Sequence, residues 1–279
     1  MSGNFTLKKL YAHARQLLEP RFEAVQLFEY VTKTRVHELA QKGDSPAARE
    51  LSDTLTEMCG QRRAGVPLQY LLGEWEFYGL PFKVGRGVLI PRADTETIVD
   101  AALELLGRIR NPEILDLCSG AGCIAIALGH VRPAARITAV EKSPHAAGYL
   151  RENIKLNNSQ VQPVEADLND YKHPRPLDLV VCNPPYIPSG EIKSLMPELR
   201  YEPRTALDGG ADGLDFYKII SKSCRDPLKP GGWLCFEVGI NQASQVQSIL
   251  EESGYESVKT YNDLAGIARV VCARRVGSK

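Results

Sequence analysis

Asn183-Pro184-Pro185-Tyr186 is the run whose residue types point most directly to chemistry. It follows the apolar stretch Leu177-Asp178-Leu179-Val180-Val181-Cys182, which reads as a buried strand. Two consecutive prolines fix φ and remove two backbone donors, so the carbonyls of Asn183 and Pro184 become rigid acceptors. Asn183 adds a side-chain carbonyl, and Tyr186 supplies an aromatic face. A planar –NH₂ group fits this set: two donors meet two acceptors while the ring packs against its plane. An amide nitrogen is a poor nucleophile because its lone pair is delocalised. Accepting hydrogen bonds from its protons raises the electron density on nitrogen and stabilises the charge that develops as it attacks an electrophilic carbon. No acid–base dyad is needed for that. The competing reading, a proline turn that merely ends a strand, is weighed against what stands at the neighbouring strand ends.

In an open α/β sheet the ligand lies outside the carboxyl ends of the strands. One such end is Asp116-Leu117 followed by Cys118, Ser119, Gly120, Ala121 and Gly122, just before a helical stretch. Small residues there let the backbone approach a ligand. The next strand ends at Glu141, whose carboxylate can accept from both hydroxyls of a ribose. A third ends at Ala166-Asp167-Leu168, where Asp167 can take a hydrogen bond from an adenine amino group. Three such ends indicate an adenosine ligand, either a nicotinamide cofactor or S-adenosyl-L-methionine. The amide-holding loop Asn183–Tyr186 selects S-adenosyl-L-methionine, because a sulfonium-borne methyl group is an electrophile that a positioned nitrogen can attack.

The elements that must hold these residues alternate from residue 113 onward. Candidate strands are Ile114–Leu117, Arg136–Glu141, Pro163–Asp167, Leu177–Cys182, Trp233–Val238, Ser257–Tyr261 and Ile267–Ala273, with helices at Gly122–Val131, Pro144–Asn157, Leu214–Leu228 and Gln242–Ser253. The fold class this predicts is α/β: a doubly wound, mostly parallel seven-stranded sheet. Its last two strands, joined without a helix, form an antiparallel hairpin. Residues 1–72 read as a small helical bundle, with apolar stripes Leu7, Leu10, Tyr11, Ala14, Leu17, Leu18 and Phe22, Val25, Phe28, Val31. Val36 and Leu39 mark a short third helix, and Ser45-Pro46 is expected to cap a helix carrying Leu51, Leu55 and Met58. Residues 73–92, with the alternating aromatic run Trp75–Val84, are expected to be a β-hairpin linker. Residues 93–279 form the cofactor-binding domain, starting with helical periodicity from Thr95 to Leu106.

Composition narrows the class. The 279 residues are 43% hydrophobic and 24% charged, with formal net charge +0, as in ordinary globular proteins. Lys and Arg balance Asp and Glu in both parts, 11 to 10 in residues 1–85 and 23 to 24 beyond. Neither part has the basic excess of a duplex-binding protein, so no direct nucleic-acid binding is expected. No apolar run is long enough to span a membrane, and the N-terminus lacks a secretory signal's apolar core. The seven cysteines are scattered without a Cys-x-x-Cys pair or a Cys/His cluster, which predicts reduced thiols, a cytoplasmic protein and no metal site.

The chain resembles the HemK-type glutamine methyltransferases that modify peptide chain release factors. The motifs that carry the resemblance are Pro67–Gly73 with Glu76–Gly79, Ile90–Glu96, Asn183–Tyr186, and Tyr201–Gly210 with Asp212–Leu214, in the family's order. The resemblance implies methyl transfer from S-adenosyl-L-methionine to the side-chain amide of the Gln in the Gly-Gly-Gln motif of class I peptide chain release factors. It implies that Asn183, Pro184, Pro185 and Tyr186 bind the substrate amide, with Asn183, Pro184 and Tyr186 serving catalysis. Cys118 to Gly122, Glu141, Asp167, Leu168 and Asn183 would line the cofactor, and the helical domain would contact the protein substrate. The Ile90–Glu96 segment would close over the methionine end, with Thr95 or Arg92 near its carboxylate. Arg92 and Arg204 have an alternative as structural ion-pair partners. Two departures stand out: Cys118 and Ala93 occupy positions where the family usually has Gly and Pro. The competing functions are a glutamine methyltransferase acting on a ribosomal protein, an adenine-N6 DNA methyltransferase, and a catalytically silent cofactor-binding scaffold.

Overall fold

The computed structural model describes residues 5–277. The chain forms two compact units: residues 1–73 with 196–201, and residues 74–195 with 202–279.

In the first unit, helices α1 (Leu7–Leu17), α2 (Arg21–Thr32), α3 (Leu39–Lys42), α4 (Arg49–Arg63) and α5 (Leu68–Leu72) bury Leu10, Ala14, Leu27, Phe28, Leu55 and Leu68 together. Two expectations change here. The inward face of α2 is Glu23, Ala24, Leu27 and Phe28, whereas Phe22 is 56% exposed. Glu23 can lie inside because Arg62 grips it with two hydrogen bonds of 2.8 Å. Arg62 also pairs with Glu198 of the 196–201 segment. The second change concerns Ser45-Pro46, which does not cap α4. Pro46 bridges Thr6, and the Ala47 N–H donates to the Phe5 carbonyl at 2.9 Å. The helix therefore starts at Arg49, with Ala48 at its cap.

The second unit begins with the antiparallel hairpin β1 (Glu74–Phe77) and β2 (Leu80–Lys83), followed by α6 (Glu96–Leu106). The hairpin is more than a tether, since Phe77 and Phe82 are buried in this unit's core. Then come β3 (Glu113–Leu117), α7 (Cys123–Val131), β4 (Arg136–Glu141), α8 (Pro144–Leu156), β5 (Gln162–Glu165), β6 (Leu177–Cys182), α9 (Asp215–Ser223), β7 (Leu228–Glu237), α10 (Ala243–Glu252), β8 (Tyr255–Asn262) and β9 (Ala268–Arg275). Helix α9 is shorter than its apolar pattern predicts: residues from Leu228 on pair with Leu177 in the sheet instead, and Pro227 offers its carbonyl to the Leu177 N–H at 2.9 Å.

The seven-stranded sheet runs β5-β4-β3-β6-β7-β9-β8, parallel through β7, with β9 antiparallel to β7 and to β8. The chain winds outward from β3 through β4 to β5, then returns to place β6 on the other side of β3. The ends of β3 and β6 thus flank the point where winding reverses, which is where such sheets open a crevice.

Residue alternation assigns the two faces. Ile114, Leu179, Val181 and Cys235 pack under α6 and α7, while Leu115, Leu117, Val180, Cys182, Leu234 and Phe236 pack against α9 and α10. Asn153 on α8 ties the hairpin to the loop after β3. Fully buried, it donates to the carbonyls of Lys83 (3.1 Å) and Ala121 (3.0 Å) and accepts from the Lys83 N–H (2.6 Å). Replacing it strands three backbone groups at once, so Asn153→Ala is expected to lower the unfolding free energy by about 3 kcal/mol, read from urea denaturation. A loss below ~1 kcal/mol would show that water takes over these bonds.

Candidate active site

Three strand ends meet at the reversal point. The register aligns Leu117 of β3 with Cys182 of β6, and Cys182 with Phe236 of β7. Asn183 and Glu237 therefore stand at one level, each one residue past that row. By alternation both belong, with Asp116, to the face covered by α6.

The loop after β3 is partly turned inward. Ser119 is buried, and its hydroxyl faces the carbonyls of Asp116 (2.8 Å) and Val140 (3.2 Å). Ala121 gives its carbonyl to Asn153. Gly122 has φ 83°, and a Cβ there would come within 2.4 Å of Leu150 on α8, so its glycine serves close packing. Gly120 differs: a Cβ would meet nothing within 4 Å, so its backbone borders open space. Cys118 adopts φ 56°, a region that disfavours every side chain with a Cβ, and is half-buried beside Cys182.

Glu141 reaches back to this loop. One carboxylate oxygen accepts from the Gly120 N–H at 2.8 Å and the other from the Ser143 N–H at 2.7 Å. An ionised carboxylate has about four acceptor positions, so each oxygen keeps one free. Asp167 is more heavily engaged: it pairs with Lys142 at 2.7 Å and accepts twice from Asn169 at 2.9 Å, leaving about one position. Leu168, Cys118 and Tyr186 fringe the same apolar cluster.

The loop after β6 is held from outside. Pro184 and Pro185 are buried, and Asn183 and Tyr186 half-buried. The Tyr186 carbonyl accepts from Gln242 at 2.9 Å, and residues 187–189 pair with 207–210 through Ile187, Ser189 and Gly209. Gly209 and Gly213 lie so close that a Cβ on either would strike the Pro185 or Tyr186 carbonyl at 2.7 or 2.3 Å. Glycine is required there for the two segments to touch. The Asn183 side-chain N–H₂ faces the Thr95 hydroxyl at 3.4 Å. Its Oδ1 and the Pro184 carbonyl accept no hydrogen bond among the described residues. Burial, together with the Glu237 carboxyl, pushes the Tyr186 phenol far above its ordinary value, so it stays neutral and cannot act as a base.

Arg92 and Arg204 are both occupied by ion pairs. Arg92 binds the buried Glu202, whose other oxygen takes the Ile90 N–H at 3.0 Å, and Arg204 binds Asp208 at 2.9 Å.

Two buried carboxyls at these strand ends are given no role by the sequence reading. Asp116 is fully buried with Oδ1 unpartnered, and burial lifts its pKa to about 8. Glu237 is 3% exposed with Oε2 unpartnered, and burial lifts its pKa to about 7. The signal was present in the sequence: each acid interrupts an apolar run, Ile114-Leu115-Asp116-Leu117 and Leu234-Cys235-Phe236-Glu237.

Residues 95–212 match the family described as Methyltransferase small domain. Among solved structures, a methyltransferase from Pyrococcus furiosus superposes with a TM-score of 0.54 at 19% identity, over 72% of this chain and 91% of that one. The fold is thereby that of methyltransferases with a doubly wound sheet. Residues 9–73 match the PrmC N-terminal domain. The release factor glutamine methyltransferase of Fusobacterium nucleatum is 39% identical over 264 residues, covering 92% of this chain and 73% of that protein. That of Geobacter sulfurreducens is 43% identical over 235 residues, covering 83% and 81%. The chain belongs to the release factor glutamine methyltransferase family.

Two measurements follow from this geometry. Cys118→Gly relieves a left-handed side chain while adding some unfolded-state freedom, so it should raise the unfolding free energy by up to ~1 kcal/mol. Equal or lower stability would show that Cys118 packing outweighs the strain. A carboxyl whose folded pKa is raised favours the folded state only while protonated. The contribution of Asp116 is therefore complete below its ordinary range and lost as pH rises through about 8. The cofactor-free protein should thus lose melting temperature between pH ~4 and ~8, and Asp116→Asn should flatten part of that slope. An unchanged slope would show that Asp116 does not carry it.

Proposed function

We propose that this protein transfers a methyl group from S-adenosyl-L-methionine to the side-chain amide nitrogen of the Gln in the Gly-Gly-Gln motif of class I peptide chain release factors, in the cytoplasm. The observation that carries the reading is the pair of free acceptors, Asn183 Oδ1 and the Pro184 carbonyl, beside the Tyr186 ring on a loop whose backbone is fixed by two prolines.

The residues around the reversal point fit the cofactor. Glu141 keeps one acceptor position on each oxygen, which suits the two hydroxyls of a ribose. Gly120 borders open space where a ligand can approach the backbone. The orphaned Oδ1 of Asp116 suits a cation, and the cofactor carries both an ammonium and a sulfonium. Asp167 retains capacity for one donor, as an adenine amino group requires. When bound, S-adenosyl-L-methionine would supply an activated methyl group with a neutral thioether as leaving group, and one of the two amide N–H protons would be released to solvent after transfer.

The chain's part is positioning. Asn183 Oδ1 and the Pro184 carbonyl accept the two N–H bonds of the substrate amide and hold its lone pair toward the methyl carbon. Tyr186 keeps the amide plane from tilting and, being neutral, excludes water without competing for protons. Orienting the two reactants in this way can supply on the order of 7–11 kcal/mol. The N-terminal helical unit, with its cleft of about 410 Å³ bordered by Leu17, Leu18, Arg63 and Met196, would grip the body of the release factor, because one glutamine is too small to select a protein.

The deciding experiment incubates the protein with labelled cofactor and purified release factor and locates the label by mass spectrometry. Label on the glutamine of Gly-Gly-Gln is expected; label elsewhere, or none, refutes the substrate assignment. In the same assay Glu141→Ala should raise the cofactor KM about tenfold or more and leave kcat at saturation nearly intact, because Glu141 would touch the ribose and not the reacting atoms. A large kcat loss at unchanged cofactor KM would remove Glu141 from that role.

A further inference from the structure

Glu237 has no part in the mechanism above, yet it is buried beside the residue on which that mechanism turns. Its carboxyl lies on the α6-covered face at the level of Asn183. The side chains of Thr95 and Asn183 both approach it as hydrogen-bond donors that favour its charged form. Neither makes a well-formed bond to Oε2, which has no partner among the described residues. Thr95 is itself buried, and its hydroxyl oxygen faces the Asn183 Nδ2 at 3.4 Å. The backbone of Glu237 is pinned, since its carbonyl accepts from the Tyr217 hydroxyl at 3.0 Å. A buried, incompletely satisfied carboxyl is costly to the fold, and packing alone would be better served by an apolar residue.

We propose that Glu237 is a positioning residue: acting with Thr95, its carboxylate fixes the Asn183 side chain with Nδ2 toward the protein interior and Oδ1 toward the substrate amide. This rests on the reading of Asn183 as the amide-holding residue. The physical reason is that an ionised carboxylate only accepts hydrogen bonds. Facing it, an asparagine amide can present only its N–H₂ end. A protonated carboxyl can also donate, which permits the flipped amide. The flipped amide would aim Nδ2 at the substrate's N–H₂, donor against donor, and methyl transfer would stop.

The proposal therefore makes activity depend on the ionisation of Glu237. The groups that set that ionisation come from every side. Arg269 on β9 favours the charge and Asp94 before α6 opposes it. Tyr186, Tyr217 on α9 and Cys123 on α7 also sense the carboxyl, and all three remain neutral because burial holds their pKa values up.

The test has two arms on the full-length protein. Selective ¹⁵N-Asn labelling, with the Asn183 side-chain signal assigned by its loss in Asn183→Asp, is read across pH without substrate. The signal should move with pH in the wild type and stay fixed in Glu237→Gln. Movement that survives in Glu237→Gln overturns the proposal. The second arm measures methyl transfer to release factor across pH at saturating cofactor. Glu237→Gln should lower kcat by between about 10- and 100-fold, lose the acid limb seen in the wild type, and leave calorimetric cofactor affinity within about twofold. Wild-type kcat and an unchanged acid limb in Glu237→Gln would leave Glu237 a scaffold residue only. Should that variant fail to fold, Thr95→Val decides: it should lower kcat in the same way with Thr95→Ser restoring it, and wild-type kcat in Thr95→Val overturns the idea. A wild type that transfers no methyl to release factor defeats the substrate assignment, while the substrate-free NMR arm still judges Glu237.

Discussion

Everything at this site depends on the shared register of β3, β6 and β7. Because Leu117, Cys182 and Phe236 stand in one row, the residues just past them reach the crevice at one height. Because side chains alternate across a strand, Asp116, Asn183 and Glu237 belong to one face. A slip of one residue in β7 would send Glu237 to the α9 side and put an apolar chain beside Asn183. The buried face on each side of the sheet forbids that slip, since it would turn Cys235 and Phe236 the wrong way round as well. Core packing and the placement of reactive groups are thus one constraint.

The loop after β6 shows how rigidity is built without regular structure. Two prolines limit the backbone, but they also remove donors that could tie it down. The fixing bonds come instead from neighbours: Gln242 takes the Tyr186 carbonyl while accepting the Gly239 N–H, and the 207–210 strand-like segment pairs with 187–189. Gly209 and Gly213 matter here because they have no Cβ to hold that segment off. The downstream glycine-rich motif is therefore part of the loop's mounting, and it leaves the acceptors of Asn183 and Pro184 free.

Much of this was legible in the sequence, and the exceptions share a cause. Strand ends could be read because apolar runs stop at residues of distinctive chemistry, as at Glu141 and Cys182. The family likewise follows from motifs that survive as local strings. What failed were readings in which a residue's partner lies far along the chain. Glu23 is inside because of Arg62, thirty-nine positions away, so Phe22 turns outward although Phe28 and Val31 of the expected stripe do pack inward. Ser45 resembled a cap until Pro46 paired with Thr6. In the loop after β3, composition could not separate Gly120, which borders open space, from Gly122, which makes room for Leu150. The roles proposed for individual site residues rest on this geometry, since a string of small residues says only that the backbone is close to something.

Asp116 and Glu237 remained hidden for a related reason: an acid that interrupts an apolar run carries no motif. Each is held largely protonated or poised by burial, with one oxygen left unsatisfied. A protein selected for stability alone would replace both, because orphaned carboxyls in a low-dielectric interior weaken the fold. For Asp116 retention is intelligible if the missing partner is a cation that arrives with the ligand, which would lower its pKa and recover on binding the stability that folding gave up. For Glu237 it is intelligible if the carboxylate orders the neighbouring Asn183 amide, a role that needs its charge but no contact with the ligand.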